Sequence, residues 1–103
     1  MQIRLTLYYL HDPERDTDEL IRQLKLVSET VPGIAASYVG RNCGVVPTGM
    51  PVPPDLADVT QVNVFETTEA AEAYRESPAL RQLHTATDHM VRRAAAAEFV
   101  QEL

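Results

Sequence analysis

Residues 58–66 have the sequence DVTQVNVFE, and side chains of two kinds alternate along them. Val62 and Val64 fall on one side of an extended chain at this period of two. The opposite side carries a mixed set, Gln61, Asn63 and Phe65. The stretch therefore predicts a β-strand with one apolar face and one mixed face.

Two further stretches show the same alternation. Residues 2–10, QIRLTLYYL, place one set of side chains on one side, namely Ile3, Leu5, Leu7 and Tyr9. The other side carries Arg4, Thr6 and Tyr8. Residues 34–42, IAASYVGRN, predict a strand in which Ser37, Val39 and Arg41 face away from Ala36 and Tyr38.

Helical patterns separate these strands. Asp16 and Glu19 have capping-box spacing, and the helix they begin is predicted to end at Pro32. Its apolar stripe comprises Leu20, Ile21, Leu24, Val27 and Val31. A second helix is predicted from Thr67 or Thr68 and is broken at Ser77-Pro78. After the break its stripe continues through Leu80, Leu83, Thr87, Met90, Val91 and Ala94, and Phe99 and Val100 form a short last strand.

The order strand, helix, strand, strand, broken helix, strand predicts an α+β fold. Two right-handed βαβ-type units in this order give a ferredoxin-like four-stranded antiparallel sheet with the helices on one face. The length of 103 residues predicts a single domain over residues 1–103. A core of this size is modest, so a second subunit would add usefully to it.

The composition excludes several classes of function. A formal net charge of −6 disfavours nucleic acid and anionic membranes as partners. One cysteine, Cys43, cannot form an internal disulfide, and no long apolar run or leader is recognised, so we expect a cytoplasmic protein. The three histidines and the glycines lack the spacing of a metal site or a phosphate-binding loop, so we expect no metal and no cofactor.

Residues 43–57, CGVVPTGMPVPPDLA, predict a long and fairly stiff loop, because four prolines oppose regular pairing there. Loops of this length inside compact domains are uncommon and are often functional. The loop could cover a cavity, or it could be a surface excursion.

The helices should leave one face of the sheet bare, and we assign the mixed side chains to that face. They are Arg4, Thr6, Tyr8, Gln61, Asn63 and Phe65. A half-apolar open face needs a cover, and a second copy of the chain is the simplest one. Two such sheets face to face would enclose a small-molecule cavity.

Four segments carry a resemblance to a known family. They are IRLTLYY, VPGIAASYVGRN, VTQVNVFET and AEAYRESPALRQL. In this order they resemble the stress-responsive dimeric α+β barrel (Dabb) domains of the ferredoxin-like dimeric α+β barrel superfamily. The resemblance implies a homodimer with a ligand cavity between sheet and helices. Some members of that family are cofactor-free polyketide cyclases, and many have no known activity.

The chain departs from the cyclase-like members at their histidines. Ser77 and Leu80 stand where those members have histidines around the helix break, and Val59 or Thr60 stands near a strand histidine. Of their acid–base groups only the tyrosine has a counterpart, Tyr74. The segment ESPALRQL is also similar to the antibiotic-biosynthesis monooxygenases, in which an Asn on this strand can be functional; Asn63 would be its counterpart, with Phe65 near the position of a frequent Trp.

The residues themselves suggest further candidates. His84 and Asp88 are four apart on a helix, a spacing that suits either a general base or a surface ion pair. Arg4 points from a strand into an enclosed space or to solvent, and Tyr8 and Tyr38 could donate hydrogen bonds to a ligand.

We therefore predict a homodimer that binds a hydrophobic, oxygenated small molecule and cyclises or rearranges it without a cofactor. The predicted catalytic residues are Tyr74, His84 and Tyr8. The predicted substrate-binding residues are Arg4, Tyr38, Gln61, Asn63 and Phe65. A cofactor-free monooxygenase and a non-catalytic stress-responsive ligand-binding protein are the alternatives.

Overall fold

The computed structural model describes residues 1–45, 48–51 and 55–102. Its elements, in chain order, are β1 (Gln2–Leu10), α1 (Pro13–Thr30), β2 (Ile34–Arg41), β3 (Val59–Phe65), α2 (Thr68–Arg75), α3 (Pro78–Thr87) and β4 (Val91–Val100). The strands form one antiparallel sheet in the order β2-β3-β1-β4. Helix α1 lies against β1, β2 and β3, α2 lies against β3, and α3 packs beside α1. The predicted ferredoxin-like α+β fold is confirmed.

The helix starts follow local capping. The Asp12 side chain accepts a hydrogen bond from the Arg15 amide at 3.2 Å, and Pro13 occupies the first turn of α1. The predicted start at Asp16 is therefore wrong, since a better cap lies four residues earlier. Thr67 caps α2 and Ser77 caps α3, as predicted.

The C-terminal part of the chain differs from the prediction. Helix α3 ends at Thr87, and the residues predicted to extend it, Met90, Val91 and Ala94, lie outside it. The Ala94–Ala97 run is instead in the middle of β4, where it pairs with β1. Alanine favours a helix by less than about 1 kcal/mol per residue, which pairing with the open edge of β1 outweighs.

The core lies between α1, α3 and the central strands. From α1 come Leu20 and Leu24, from β3 Phe65, and from α3 Leu83. Gly33 makes the turn into β2 with a φ of +87°, and a Cβ there would lie 2.8 Å from the Cβ of Ala70. This turn joins α1 to the sheet so tightly that only glycine fits without displacement.

Cross-strand partners in the register show which residues share a face. Arg4 pairs with Asn63, Thr6 with Gln61 and Tyr8 with Val59. This face lies beneath the helices, because Ser28 of α1 bonds to Gln61 and Tyr74 of α2 packs on Phe65. The prediction that Arg4, Thr6, Tyr8, Gln61, Asn63 and Phe65 form the open face is wrong.

The open face is the apolar one. It carries the side chains that alternate with the buried set: Ile3, Leu5, Leu7, Ala36, Tyr38, Val62, Val64, Ala95, Ala97 and Phe99. Tyr38 is 65% exposed and Phe99 52% exposed. A cavity lined by mixed polar groups between two such sheets is therefore ruled out, since the polar groups face the helices.

The loop between β2 and β3 is described in part. Residues 43–45, 48–51 and 55–57 are in no helix or strand, whereas Pro47, Pro53 and Pro54 lie outside the described residues. Asp55 binds Arg92 at 2.7 Å and Arg93 at 3.5 Å, and both guanidinium groups lie over the Tyr9 ring. These contacts attach the end of the loop to the sheet.

The described loop residues 44 and 56–58 also line a surface pocket of about 390 Å³ beside the start of α1.

Candidate functional site

Polar side chains occupy the helix side of the sheet, where a core would normally be apolar. Gln61 and Asn63 of β3 are each only 2% exposed, and Gln2 and Thr6 of β1 are also buried. A buried amide is costly unless its hydrogen bonds are made inside the protein. In the described part of the chain, every fully buried side-chain nitrogen and oxygen has a partner. The polar layer is thus an organised arrangement rather than a packing defect.

A serine of α1 orients one of the two amides. The Gln61 Nε2 group donates to the Ser28 Oγ at 3.4 Å, and the Tyr8 hydroxyl donates to the Gln61 Oε1 at 3.4 Å. The amide group is therefore held with its oxygen toward Tyr8. Both bonds are long, so they orient the groups more than they stabilise them.

A serine of β2 orients the other amide. The Ser37 Oγ lies 2.6 Å from the Asn63 Oδ1 and 2.9 Å from the Ser28 Oγ. Because Asn63 accepts through Oδ1, its Nδ2 group is left to donate toward Tyr74. The two serines together give both amides a defined orientation.

Two tyrosines lie in this layer, and both keep their protons at neutral pH. Burial raises the pKa of Tyr8 to about 12, and the neighbouring Tyr74 adds to the increase. Burial also raises the pKa of Tyr74, and the Arg4 charge and the Asn63 amide lower this pKa only in part. Both hydroxyls can therefore donate hydrogen bonds or protons, and neither can act as a base.

Tyr74 is held in place by aromatic packing. Its ring centroid lies 5.3 Å from that of Phe65, at an interplanar angle of 54°. Phe65 is fully buried, so it supports the position of Tyr74 within the core. A direct contact between Phe65 and a ligand, as the sequence suggested, would require the core to open.

Charged groups border the layer at one end. The Arg4 guanidinium lies 3.5 Å from the Glu98 Oε1 and 5.9 Å from the Tyr74 ring centroid. The other Glu98 oxygen accepts from Arg75 at 2.7 Å and from Gln2 at 2.9 Å. The Arg4 and Glu98 side chains are each 20% exposed, so solvent reaches this end of the layer.

The layer opens toward β4. Ala94 pairs with Tyr8 and Ala96 with Thr6, so both methyl groups lie on the helix side of the sheet. Both alanines are exposed, whereas the residues facing the helices on β3 are buried. The exposed alanines of β4 therefore give the helix side of the sheet an apolar edge beside Tyr8 and Arg4, whereas Tyr74 is only 2% exposed.

The structure brings together most of the predicted site residues, but not all. Arg4, Tyr8, Gln61, Asn63, Phe65 and Tyr74 share the helix side. Tyr38 lies on the opposite, open face of the sheet, where it pairs with Val62. His84 is on the exposed side of α3, and no side-chain bond joins it to Asp88 in the described part of the molecule.

Sequence reasoning missed several members of the layer. Ser28, Ser37, Gln2 and Glu98 were not identified as site residues, and only the two serines have a partial signal in the sequence. Ser37 alternates with Tyr38 and so shares a face with Asn63 once the register is known. Ser28 directly follows Val27 of the apolar stripe of α1, at the border of the buried side. A polar residue at such a border is a candidate partner for a buried amide.

The described residues contain neither a cluster suited to a metal ion nor a helix suited to cross a membrane. Among residues 1–45, 48–51 and 55–102, no three His, Cys, Asp or Glu side chains are grouped so that they could hold a metal ion. None of the helices described above has the length and apolar character needed to cross a membrane.

Sequence comparison identifies no relative. No protein-family model matches the chain, and no curated protein matches it. Solved structures do match, at low identity and over nearly the whole chain, and three of them illustrate the range.

The first is a dabb family protein with a ferredoxin-like fold from Mesorhizobium loti, with a TM-score of 0.76, 13% identity and coverage of 98% of this chain and 97% of that one. The second is a dimeric ferredoxin-like protein of unknown function from Thermobifida fusca, with a TM-score of 0.75, 20% identity and coverage of 98% and 92%. The third is SnoaB, a cofactor-independent oxygenase from Streptomyces nogalater, with a TM-score of 0.74, 10% identity and coverage of 99% and 93%. The structural neighbours are thus ferredoxin-like dimeric α+β barrel proteins, which confirms the predicted fold.

Proposed function

We propose that this protein is a homodimer that binds a hydrophobic, oxygen-bearing small molecule on the helix side of its sheet and rearranges or cyclises it without a cofactor. The observation that carries the proposal is the buried polar layer, in which two protonated tyrosines, Tyr8 and the 2% exposed Tyr74, lie near Arg4 beside the exposed alanines of β4. A purely structural core would gain stability from apolar side chains at these positions.

The chemistry follows from the donors. A ketone oxygen placed near the Tyr74 hydroxyl and Arg4 would be stabilised as it gains negative charge, which makes the neighbouring C–H more acidic. Tyr8 supplies a second protonated hydroxyl, and Gln61 and Asn63 fix the surroundings of both tyrosines. Loss of the α-proton to solvent then gives an enolate, which is the nucleophile in a cyclisation. Holding a flexible substrate in one conformation adds to the effect.

The dimer would form through the open face. That face carries an almost unbroken apolar surface across all four strands, including Leu5, Val62 and Phe99. Contiguous apolar patches of this kind mark interaction sites in soluble proteins. A two-fold partner would place the same strands against each other and leave both polar layers facing away from the interface.

A proton-exchange assay tests the proposed activity. The methyl ketone 1-acetonaphthone exchanges its α-protons in D₂O, and NMR follows the rate. We expect the protein to accelerate this exchange over buffer and the Tyr74→Phe variant to lose about 10- to 1000-fold of the acceleration. Binding of the ketone with exchange at the buffer rate would contradict an enzymatic role and favour a non-catalytic ligand-binding protein.

A cofactor-free oxygenase is the second candidate. It is favoured by the similarity of the whole fold to SnoaB and by the position of Asn63 beside Tyr74. Asn63 is the residue that the sequence suggested as the counterpart of the functional Asn in the monooxygenases. The two activities differ in their use of dioxygen. Consumption of dioxygen with a phenolic naphthalene substrate, measured with an oxygen electrode, would favour the oxygenase, and turnover under nitrogen would favour the cyclase-like enzyme.

A further inference from the structure

Arg4 has more hydrogen-bonding capacity than its neighbours use. A guanidinium carries five N–H donors, and the nearest carboxylate oxygen, on Glu98, is 3.5 Å away. Within the described residues, the Arg4 guanidinium makes no hydrogen bond shorter than this contact. The side chain is only 20% exposed, so most of it lies away from bulk water. A half-buried guanidinium in this position favours an oxygen ligand.

Among the described residues, the ion pairs at Arg4 join two arginines to one carboxylate, which leaves one positive charge in excess. Glu98 is the shared partner of Arg4 and Arg75, and its second oxygen is already occupied by Arg75 and Gln2. The two nearby tyrosines are uncharged at neutral pH and do not offset this charge. The excess stands out in a chain whose formal net charge is −6. A ligand with a single negative charge would balance it, whereas a dianion would meet repulsion from Glu98.

The surface next to Arg4 is flat and apolar. On β4, Glu98 is opposite Arg4, and the next residue on the same face is Ala96, followed by Ala94. Both alanines are exposed to solvent. Tyr8, opposite Ala94, forms the far end of this apolar edge, and its hydroxyl oxygen can accept a hydrogen bond from a polar group there while it donates to Gln61.

We infer that Arg4 binds the carboxylate of a planar, singly charged ligand whose apolar body lies on Ala94 and Ala96. The inference rests on the proposed ligand site and specifies its substrate class: an aromatic or polycyclic carboxylic acid. The planar fork of arginine matches the two oxygens of a carboxylate. A single carbonyl oxygen would use only part of that fork.

A matched pair of probes tests this inference. The anion 1-naphthoate and the neutral 1-naphthamide have nearly the same shape and differ in charge. Isothermal titration calorimetry measures their dissociation constants for the wild-type protein and for two arginine variants. The Arg4→Gln variant removes the proposed carboxylate ligand, and Arg22→Gln removes the same charge from the exposed surface of α1.

We expect the wild-type protein and Arg22→Gln to bind naphthoate about tenfold more tightly than naphthamide, and we expect Arg4→Gln to lose this preference. Arg4→Lys keeps the charge but lacks the planar fork, so this variant should retain only part of the preference for naphthoate. Equal binding of both probes by the wild-type protein, or an unchanged preference in Arg4→Gln, would overturn the carboxylate inference and leave the proposed site standing. Binding of neither probe would overturn both.

Discussion

The two faces of the sheet differ in where they carry polar side chains, which lie beside the apolar core beneath the helices and are few on the open face. The face beneath the helices carries amides, hydroxyls and Arg4, and the face left open carries Leu5, Val62, Val64 and Phe99. An isolated domain gains most by burying its apolar side chains. An open apolar face is stable when another molecule covers it, and a covered polar face is stable when its hydrogen bonds are complete or a ligand completes them.

The difference therefore assigns separate tasks to the two faces. The helix side keeps polar groups out of water in fixed orientations, which is a condition for binding and for acid–base chemistry. In the proposed dimer, the open side supplies the apolar area for association. Each face can be altered without the other, because residues adjacent along a strand point to opposite sides.

The largest effect is expected from a charge on the open face. Ala95→Asp places a carboxylate among the apolar residues that would meet a second copy, whereas Ala96→Asp places the same carboxylate on the helix side of the same strand. Burying an unpaired charge at an interface is costly, so Ala95→Asp should raise the dissociation constant of the dimer about hundredfold. This corresponds to a loss of about 3 kcal/mol in the free energy of association. Sedimentation equilibrium measures this constant.

The Ala96→Asp variant is the matched control. Its dimer should dissociate as the wild-type dimer does, and its binding of naphthoate should weaken instead. If both variants dissociate equally, or neither does, the two faces do not have separate tasks.

A smaller effect is expected from ionisation of the helix side. The pKa of Tyr8 is raised to about 12, so between pH 10 and pH 12 the unfolded chain loses the Tyr8 proton before the folded protein does. The stabilisation from Tyr8 is complete below pH 10 and is lost as the pH rises to 12. It amounts to roughly 2–3 kcal/mol of the free energy of unfolding. Urea denaturation between pH 9 and pH 12 measures the decrease.

Two phenylalanine variants show whether Tyr8 causes this decrease. Tyr8→Phe should flatten the fall in stability with pH, and Tyr38→Phe, on the open face, should leave it as in the wild-type protein. An equally steep fall in Tyr8→Phe would show that Tyr8 is not buried as described.

A further effect of similar or smaller size is expected from the serine that orients Asn63. Ser37→Ala leaves the Asn63 Oδ1 without its 2.6 Å hydrogen bond, which should lower the free energy of unfolding by about 1–3 kcal/mol. Thr85→Ala removes a hydroxyl that bonds to the Arg81 carbonyl on the exposed side of α3 and should change it by less than about 0.5 kcal/mol. Chemical denaturation compares the two, and equal losses would argue against an organised polar layer.

The smallest effect is expected from His84. Its side chain is exposed on α3, away from the tyrosines, so His84→Ala should leave the proton-exchange rate of 1-acetonaphthone unchanged. NMR measures the rate under the conditions used for Tyr74→Phe. A loss as large as that of Tyr74→Phe would place His84 in the reaction after all.

Much of the fold could be predicted from the sequence because its signals are local. The alternation in residues 2–10 and 58–66 specified strands, and Ser77-Pro78 specified a helix start. The assignment of faces failed because alternation separates two sets of side chains without saying which set the helices cover. The assumption that the more apolar set faces the helices is sound for a monomer and fails for Leu5 and Val62, which lie on the open face.

The rest depended on contacts between distant parts of the chain. The alanines of β4 have no strand signal of their own and are extended because β1 offers them an edge. Tyr74 and Asn63 were identified through a resemblance, but the serines that orient the amides could be recognised only once the register brought Ser37 to Asn63 and the packing brought Ser28 to Gln61. A shift in register of one residue would have reversed every one of these assignments.

Methyl NMR with a soluble gadolinium chelate is the most direct test of whether a second copy covers the apolar face while the polar face lies beneath the helices. Such a reagent broadens the signals of methyl groups that solvent reaches. If a second copy covers the apolar face, the methyl groups of Leu5, Val62 and Val64 stay sharp while those of Leu26, which is 45% exposed on α1, broaden. Equal broadening of all four residues at concentrations where the protein is folded would contradict it.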